Sequence, residues 1–98
     1  MSGTAESVAD LKASLLPGID RGRAKRVYDA LEDDLLIPRG LYLDGGLTYA
    51  GSSAEITGLL TRADGSGLTA RDVQFVEAWL GARPEVAGFS LGPPKPAE

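Results

Sequence analysis

The stretch PGIDRGRAKRVYDALEDD, residues 17–34, carries the clearest helical pattern in this chain of 98 residues. Asp20 is suited to cap a helix, and apolar residues then recur at helical spacing as Ala24, Val27, Tyr28, Leu31 and Leu35. The charges run against the helix dipole, because four basic side chains come first and four acidic ones follow. The sequence therefore predicts a helix and leaves open which anionic group its basic half contacts.

Three more helices are predicted around this one. The first covers residues 8–15, with a cap at Thr4 or Ser7, and ends before a Pro-Gly breaker. The others cover residues 52–63 and 69–81, and each opens with a capping box. The apolar positions at helical spacing are Val8, Leu11 and Leu15 in the first helix, Ile56, Leu59, Leu60 and Ala63 in the second, and Val73, Val76 and Leu80 in the third.

Strand patterns occupy two other segments. Residues 40–50 predict a hairpin around an Asp-Gly-Gly turn, and residues 85–91 predict a C-terminal strand that joins the hairpin. The Pro-rich residues 93–98 predict a flexible tail. The predicted fold class is therefore α+β, with about four helices and a small antiparallel sheet, in a single domain of residues 1–92.

Composition excludes several functional classes. The chain has no cysteine and no histidine, which removes disulfides, thiolate chemistry, an imidazole base and a His-ligated zinc. Ser52 and Ser53 have no basic partner to activate a hydroxyl group, and the acidic residues 29–34 point to different sides of a helix. We therefore expect no enzymatic activity, no bound metal and no small-molecule cofactor.

The net charge of −4 and the pI of about 4.7 oppose coating of nucleic acid by bulk electrostatics, so any phosphate contact must be local. No apolar run approaches the ~20 residues that a membrane span needs, and the N-terminus lacks a signal-peptide pattern. The expectation is a cytoplasmic protein with no membrane contact.

The order of these elements resembles that of winged helix-turn-helix DNA-binding domains over residues 8–50. Residues 8–15 stand for the supporting helix, residues 18–20 for the turn, residues 21–35 for the recognition helix and residues 39–49 for the wing. The resemblance implies a winged-helix-like N-terminal half and a small protein that binds nucleic acid locally. The residues it implicates are Arg21, Arg23, Lys25 and Arg26 on the helix and Arg39 on the wing.

A second resemblance covers the same segment. Residues 16–19, with Ala24 and Val27, are similar to the hairpin of helix-hairpin-helix modules, which hold phosphate through backbone N–H groups at a helix N-terminus. In this chain Asp20 stands where that family usually has a second glycine. The phosphate would therefore meet a carboxylate.

Two interpretations without nucleic acid stay open. The basic residues can form a solvated face in which Lys25 or Arg26 pairs with Asp29. Alternatively, the chain is a protein-interaction module or a homodimeric adaptor in which the bipolar helix meets complementary charge, with Phe75 and Trp79 at the interface.

The predicted sheet offers further surfaces for a partner. Leu41, Leu43 and the strand at residues 85–91 create edges that another strand could extend.

Overall fold

A computed structural model describes residues 7–96, which form an antiparallel sheet with two helices on one face. The elements in chain order are β1 (Ser7–Leu15), α1 (Arg21–Ala30), β2 (Leu41–Ala50), β3 (Ser53–Arg62), α2 (Ala70–Ala82), β4 (Val86–Leu91) and β5 (Lys95–Pro96). A π-helical turn, Leu31–Leu36, continues α1 without a break, and we call the two together the helical run.

Strand β1 is central in the sheet, whose strand order is β2-β3-β1-β4. It pairs antiparallel with β3 on one side and with β4 on the other, and the two-residue β5 also pairs with it. Helix α1 joins β1 to β2, and helix α2 joins β3 to β4. This connectivity is the split β-α-β arrangement seen in ferredoxin-like folds.

The core lies between the sheet and the helices. Along β1 the side chains alternate, with Leu11 and Ala13 buried and Asp10 and Lys12 exposed on the opposite face. The helical run and α2 cover the buried face with apolar side chains, which are Ala24, Val27, Leu31, Leu35, Leu36, Val73, Val76 and Leu80. The other face of the sheet is open to solvent.

The π-helical turn adjusts which side chains reach this core. The N–H of Ile37 donates to the carbonyl of Glu32, five residues back, at 2.8 Å. The wider turn places Leu35 and Leu36 on the buried side together and leaves Ile37 66% exposed. The helical pattern of residues 17–34 is confirmed, and Asp20 caps α1 by accepting the N–H of Arg23 at 2.8 Å.

The predicted fold is wrong in its number of helices, although the α+β class is confirmed. Residues 8–15 form β1 instead of a supporting helix, because alternation of buried side chains lets this segment pair with a strand on each side. The predicted cap Thr4 lies outside the described residues. The winged-helix-like N-terminal half, which needs that helix, is therefore wrong.

The predicted helix over residues 52–63 is also wrong, because this segment is β3. Strand β2 runs straight through the Asp-Gly-Gly sequence, and the hairpin turns at Gly51 and Ser52 instead. Gly51 has φ +63°, which a two-residue hairpin turn requires at its first position. Leu41 and Tyr49, expected on opposite strands, thus share β2.

The C-terminal elements are partly as expected. The strand near residues 85–91 is confirmed as Val86–Leu91, but it pairs with β1 and not with the hairpin. Within the Pro-rich segment, Lys95–Pro96 pairs with Ser7 and Val8, and residues 97–98 lie outside the described residues. The capping box of α2 is confirmed, since Thr69 and Asp72 bond each other's N–H groups.

Candidate functional site

The residues expected to bind nucleic acid fall into two places. Arg21, Arg23, Lys25 and Arg26 lie together on the first turns of α1, whereas Arg39 follows the far end of the helical run. The run continues for ten residues beyond Arg26, which at ~1.5 Å per residue separates the cluster from the end of the run by about 15 Å. The structure therefore makes one basic cluster of four residues and leaves Arg39 apart.

Three members of the basic cluster have partners within the chain. Lys25 Nζ lies 2.9 Å from Asp29, and this hydrogen bond raises the pKa of Lys25. Arg23 Nε lies 3.9 Å from Glu85, and the guanidinium carbon of Arg21 lies 4.5 Å from the ring centre of Tyr49. The predicted pairing of Lys25 with Asp29 is thus confirmed.

Arg26 differs from these neighbours, because within residues 7–96 it forms no ion pair and no cation–π contact. The N-terminus of α1 already holds an anionic group, the carboxylate of Asp20, which accepts the N–H of Arg23. The basic cluster can therefore contact phosphate through exposed side chains but has its cap position filled.

The two aromatic residues expected at an interface lie on α2. Phe75 is 36% exposed, and the guanidinium carbon of Arg39 lies 3.4 Å from its ring centre. Trp79 is partly buried and packs against the core, with Arg83 at 4.9 Å from its ring centre. An open depression of about 300 Å³ beside Phe75 is lined by Arg71, Gln74, Phe75 and Ala78.

A partly buried ion pair joins the end of β3 to the start of α2. Asp72 is only 5% exposed, and its carboxylate oxygens lie 3.1 and 3.2 Å from Nη1 of Arg62. Burial alone would raise the pKa of Asp72, but hydrogen bonds from Thr69 and Arg62 outweigh it and lower this pKa below its ordinary value. Sequence analysis singled out Asp72 only as a cap and missed Arg62.

Strand β2 forms one edge of the sheet, and β4 forms the other. Strand β2 is ten residues long, roughly 33 Å at ~3.3 Å per residue, and β3 is its only neighbour among the described strands. Within residues 7–96, no backbone-to-backbone hydrogen bond outside the strand ladders involves Leu41–Ala50. It contains a single charged side chain, Asp44, and neither lysine nor proline, the residues that commonly protect an edge.

Hairpin geometry determines which backbone groups of this edge are free. Ala50 pairs with Ser53 across a two-residue turn, so these two residues exchange hydrogen bonds. Alternation along the strand then directs the N–H and C=O groups of Leu47 and Tyr49 away from β3, while those of Thr48 stay in the ladder.

One flank of α1 lies beside this edge. Ala24 and Val27 of α1 face the core, and Arg21 stacks on Tyr49 of β2. The flank of α1 next to β2 therefore includes Arg21. By helical spacing, the same flank includes Lys25, Tyr28 and Glu32. The Tyr49 hydroxyl donates to the backbone carbonyl of Arg21 at 3.5 Å. Partial burial, with Glu32 nearby, raises the pKa of Tyr28.

We call the outer edge of β2, together with the flank of α1 that bears Arg21, Lys25, Tyr28 and Glu32, the edge surface. Its flank is basic at the start of α1 and acidic towards the end of the helical run. Sequence analysis placed strand edges at Leu41 and Leu43, but it could not place α1 beside them.

Comparison of the chain with protein-family models, curated proteins and solved structures finds no match. No helix within residues 7–96 has the length and apolar character needed to cross a membrane. Among the same residues, no three acidic side chains converge in a way that could hold a metal ion.

Proposed function

We propose that the chain is a non-enzymatic protein-interaction module that accepts a polypeptide strand along the outer edge of β2. The observation that carries this proposal is the ten-residue edge without a backbone partner within the described residues. An added strand would bond the outward N–H and C=O groups, and its alternate side chains would determine selectivity.

The side chains around the edge support this proposal. Tyr42 is 55% exposed on the open face of the sheet, and Tyr49 is partly exposed at the end of the strand. Tyr28 lies on the neighbouring flank of α1 and is partly buried. Tyrosine is enriched at protein interfaces because its ring buries apolar area while its hydroxyl group stays hydrogen-bonded.

The test compares the same substitution at the two edges of the sheet. A Cβ atom added at Gly46 of β2 or at Gly88 of β4 meets no atom within 4 Å, so both positions accept a side chain. Gly46→Lys places a charge at the middle of the proposed edge, and Gly88→Lys is the matched control on the opposite edge.

The probe is a displayed library of random peptides of about eight residues, long enough for one strand. Peptides selected on the wild-type chain should bind Gly88→Lys equally and Gly46→Lys at least about tenfold more weakly. Amide hydrogen exchange should slow at Leu47 and Tyr49 on binding, with Thr48 as the internal reference. Equal binding to both variants would contradict the proposal, as would the absence of any selected peptide on a chain that is monomeric.

Local nucleic-acid binding through the basic cluster is the second candidate function. Two observations favour it: Arg26 has no ion pair within residues 7–96, and the guanidinium of Arg21, on the same helix, lies against the ring of Tyr49. Arginine and aromatic side chains together suit a nucleic-acid strand. The acidic pI and the partners of Arg23 and Lys25 make it second to strand addition.

Fluorescence anisotropy with labelled single- and double-stranded DNA at about 50 and 200 mM salt tests this candidate. Four phosphate contacts predict a log–log salt slope of roughly −4 or shallower. Joint charge reversal at Arg23 and Arg26 should abolish binding, whereas the control Arg71→Glu on α2 should not. Binding that survives the double reversal in a folded protein would remove this candidate. The cytoplasmic location expected from the sequence stays a prediction.

A further inference from the structure

We infer that the strand accepted by the edge surface is β2 of a second copy of this chain, related by a two-fold axis. The inference rests on the proposed function and names the partner for it. A two-fold interface uses the same surface on both copies, so the surface must complement itself. Backbone spacing, helix spacing and charge each meet that condition.

Strand and helix spacings are compatible with such a pair. Helix α1 contacts β2 and β3, so one helix covers two strands of the sheet. Two strands at ~4.8 Å occupy about 10 Å, which matches the 8–10 Å between the axes of packed helices. Antiparallel pairing of two β2 strands therefore continues the sheet and places the two α1 helices side by side at packing distance.

The charges of α1 become complementary in this arrangement. The start of α1 lies beside Tyr49 at the end of β2, and the helical run ends just before Leu41 at its start, so α1 and β2 run in opposite directions. A two-fold axis near the middle of β2 makes the two α1 helices antiparallel. The basic start of each helix then faces the acidic end of the other.

Individual residues follow from that alignment. With the axis beside Tyr28, Lys25 of one copy lies opposite Glu32 of the second copy, and the pair occurs twice. The two Tyr28 rings meet at the centre, where an interface usually places its aromatic side chains. Gly45 and Gly46 stand at the middle of β2 and leave the strands free to approach.

This arrangement accounts for the reversed polarity of the helix. In the monomer the four basic residues stand at the positive end of the dipole, and only Lys25 and Arg23 have carboxylate partners among the described residues. On the edge surface, Glu32 of a second copy adds a carboxylate beside Lys25, whose ion-pair partner within the described residues is the exposed Asp29. A partner of uniform charge would match only one half of the flank.

Sedimentation equilibrium from micromolar to near-millimolar concentration tests the inference with a charge-swap cycle. Lys25→Glu and Glu32→Lys should each weaken the dimer by about tenfold, the effect of reversing two symmetric surface ion pairs. The double variant Lys25→Glu/Glu32→Lys exchanges the charges and should restore the dimer to within about threefold of the wild type.

The glycine variants provide the second arm. With the axis at Gly46, Gly46→Lys places two lysines directly opposite each other and should give a monomer, whereas Gly88→Lys should stay dimeric. Circular dichroism checks that each variant is folded. If a charge variant does not fold, the two glycine variants still decide the question.

A wild-type chain that stays monomeric at near-millimolar concentration would overturn the inference. A dimer that Gly46→Lys leaves intact would overturn it as well, as would a double charge swap without rescue. The two proposals can fail separately. If the chain is monomeric but selected peptides bind it and lose affinity in Gly46→Lys, the proposed function stands and the second copy is rejected as the partner. If neither peptide binding nor dimerisation is observed, both proposals are rejected.

Discussion

Replacement of Asp72 by alanine should lower the free energy of unfolding by about 2–3 kcal/mol. The carboxylate accepts the Thr69 N–H at 3.0 Å, and its loss opens the capping box of α2 at a cost of ~1 kcal/mol. It also leaves the Arg62 guanidinium without its buried partner.

Breaking a fully buried ion pair costs ~3–5 kcal/mol, but the Arg62 side chain is 27% exposed and still has Asp64 at 3.6 Å. Water and Asp64 therefore recover part of that loss. The expected total for Asp72→Ala, with the lost capping box included, is thus about 2–3 kcal/mol. Asp64→Ala is the matched control, because it removes the exposed carboxylate that also contacts Arg62, and it should cost clearly less than Asp72→Ala.

Urea unfolding followed by the fluorescence of Trp79, the single tryptophan, measures both variants. A slope of ~1 kcal/mol per molar urea converts the expected loss into a midpoint shift of about 2–3 M. A double-mutant cycle that combines Asp72→Ala with Arg62→Met should give a coupling free energy of at least ~1 kcal/mol. Equal losses for Asp72→Ala and Asp64→Ala would refute the reasoning.

Three further predictions concern stability. Because the pKa of Asp72 is lowered in the fold, the ionised carboxylate stabilises the protein fully above the ordinary pKa of ~3.9, and this stabilisation is lost as pH falls towards the lowered pKa. The difference in unfolding free energy between the wild type and Asp72→Asn should therefore shrink over that range, as measured by urea unfolding at a series of acidic pH values. Gly45→Ala, whose Cβ would collide with the Thr57 carbonyl, should cost at least ~2 kcal/mol, while Gly46→Ala should be nearly neutral in thermal unfolding. Leu36→Ala should cost ~2–5 kcal/mol and Ile37→Ala less than ~1 in the same melts, whereas equal losses would contradict the π-helical register.

Local signals in the sequence predicted some elements well. The helical pattern after Asp20 and the capping box of Thr69 and Asp72 act within a few residues, so the neighbouring sequence is enough to identify α1 and α2. The same holds for the strand at Val86–Leu91, where apolar residues alternate.

Ambiguous periodicity explains the two wrong helices. In residues 7–15 the apolar residues Val8, Leu11 and Leu15 fit a helix, while Ala9, Leu11, Ala13 and Leu15 fit one face of a strand. Hydrogen bonds to β3 and β4, distant in the chain, favour the strand. The capping-box pattern at residues 52–55 was overridden in the same way by pairing of β3 with both of its neighbours.

The sequence by itself determined that no cysteine or histidine side chain is available, and it determined the two helices and the bipolar charge of α1, because composition and short-range patterns are enough for these. Only the tertiary structure decided that β1 is the central strand, that Arg62 contacts Asp72 and that α1 flanks the outer edge of β2. These features depend on contacts between segments far apart in the chain. Such contacts form only when the whole sheet pairs and buries its apolar face.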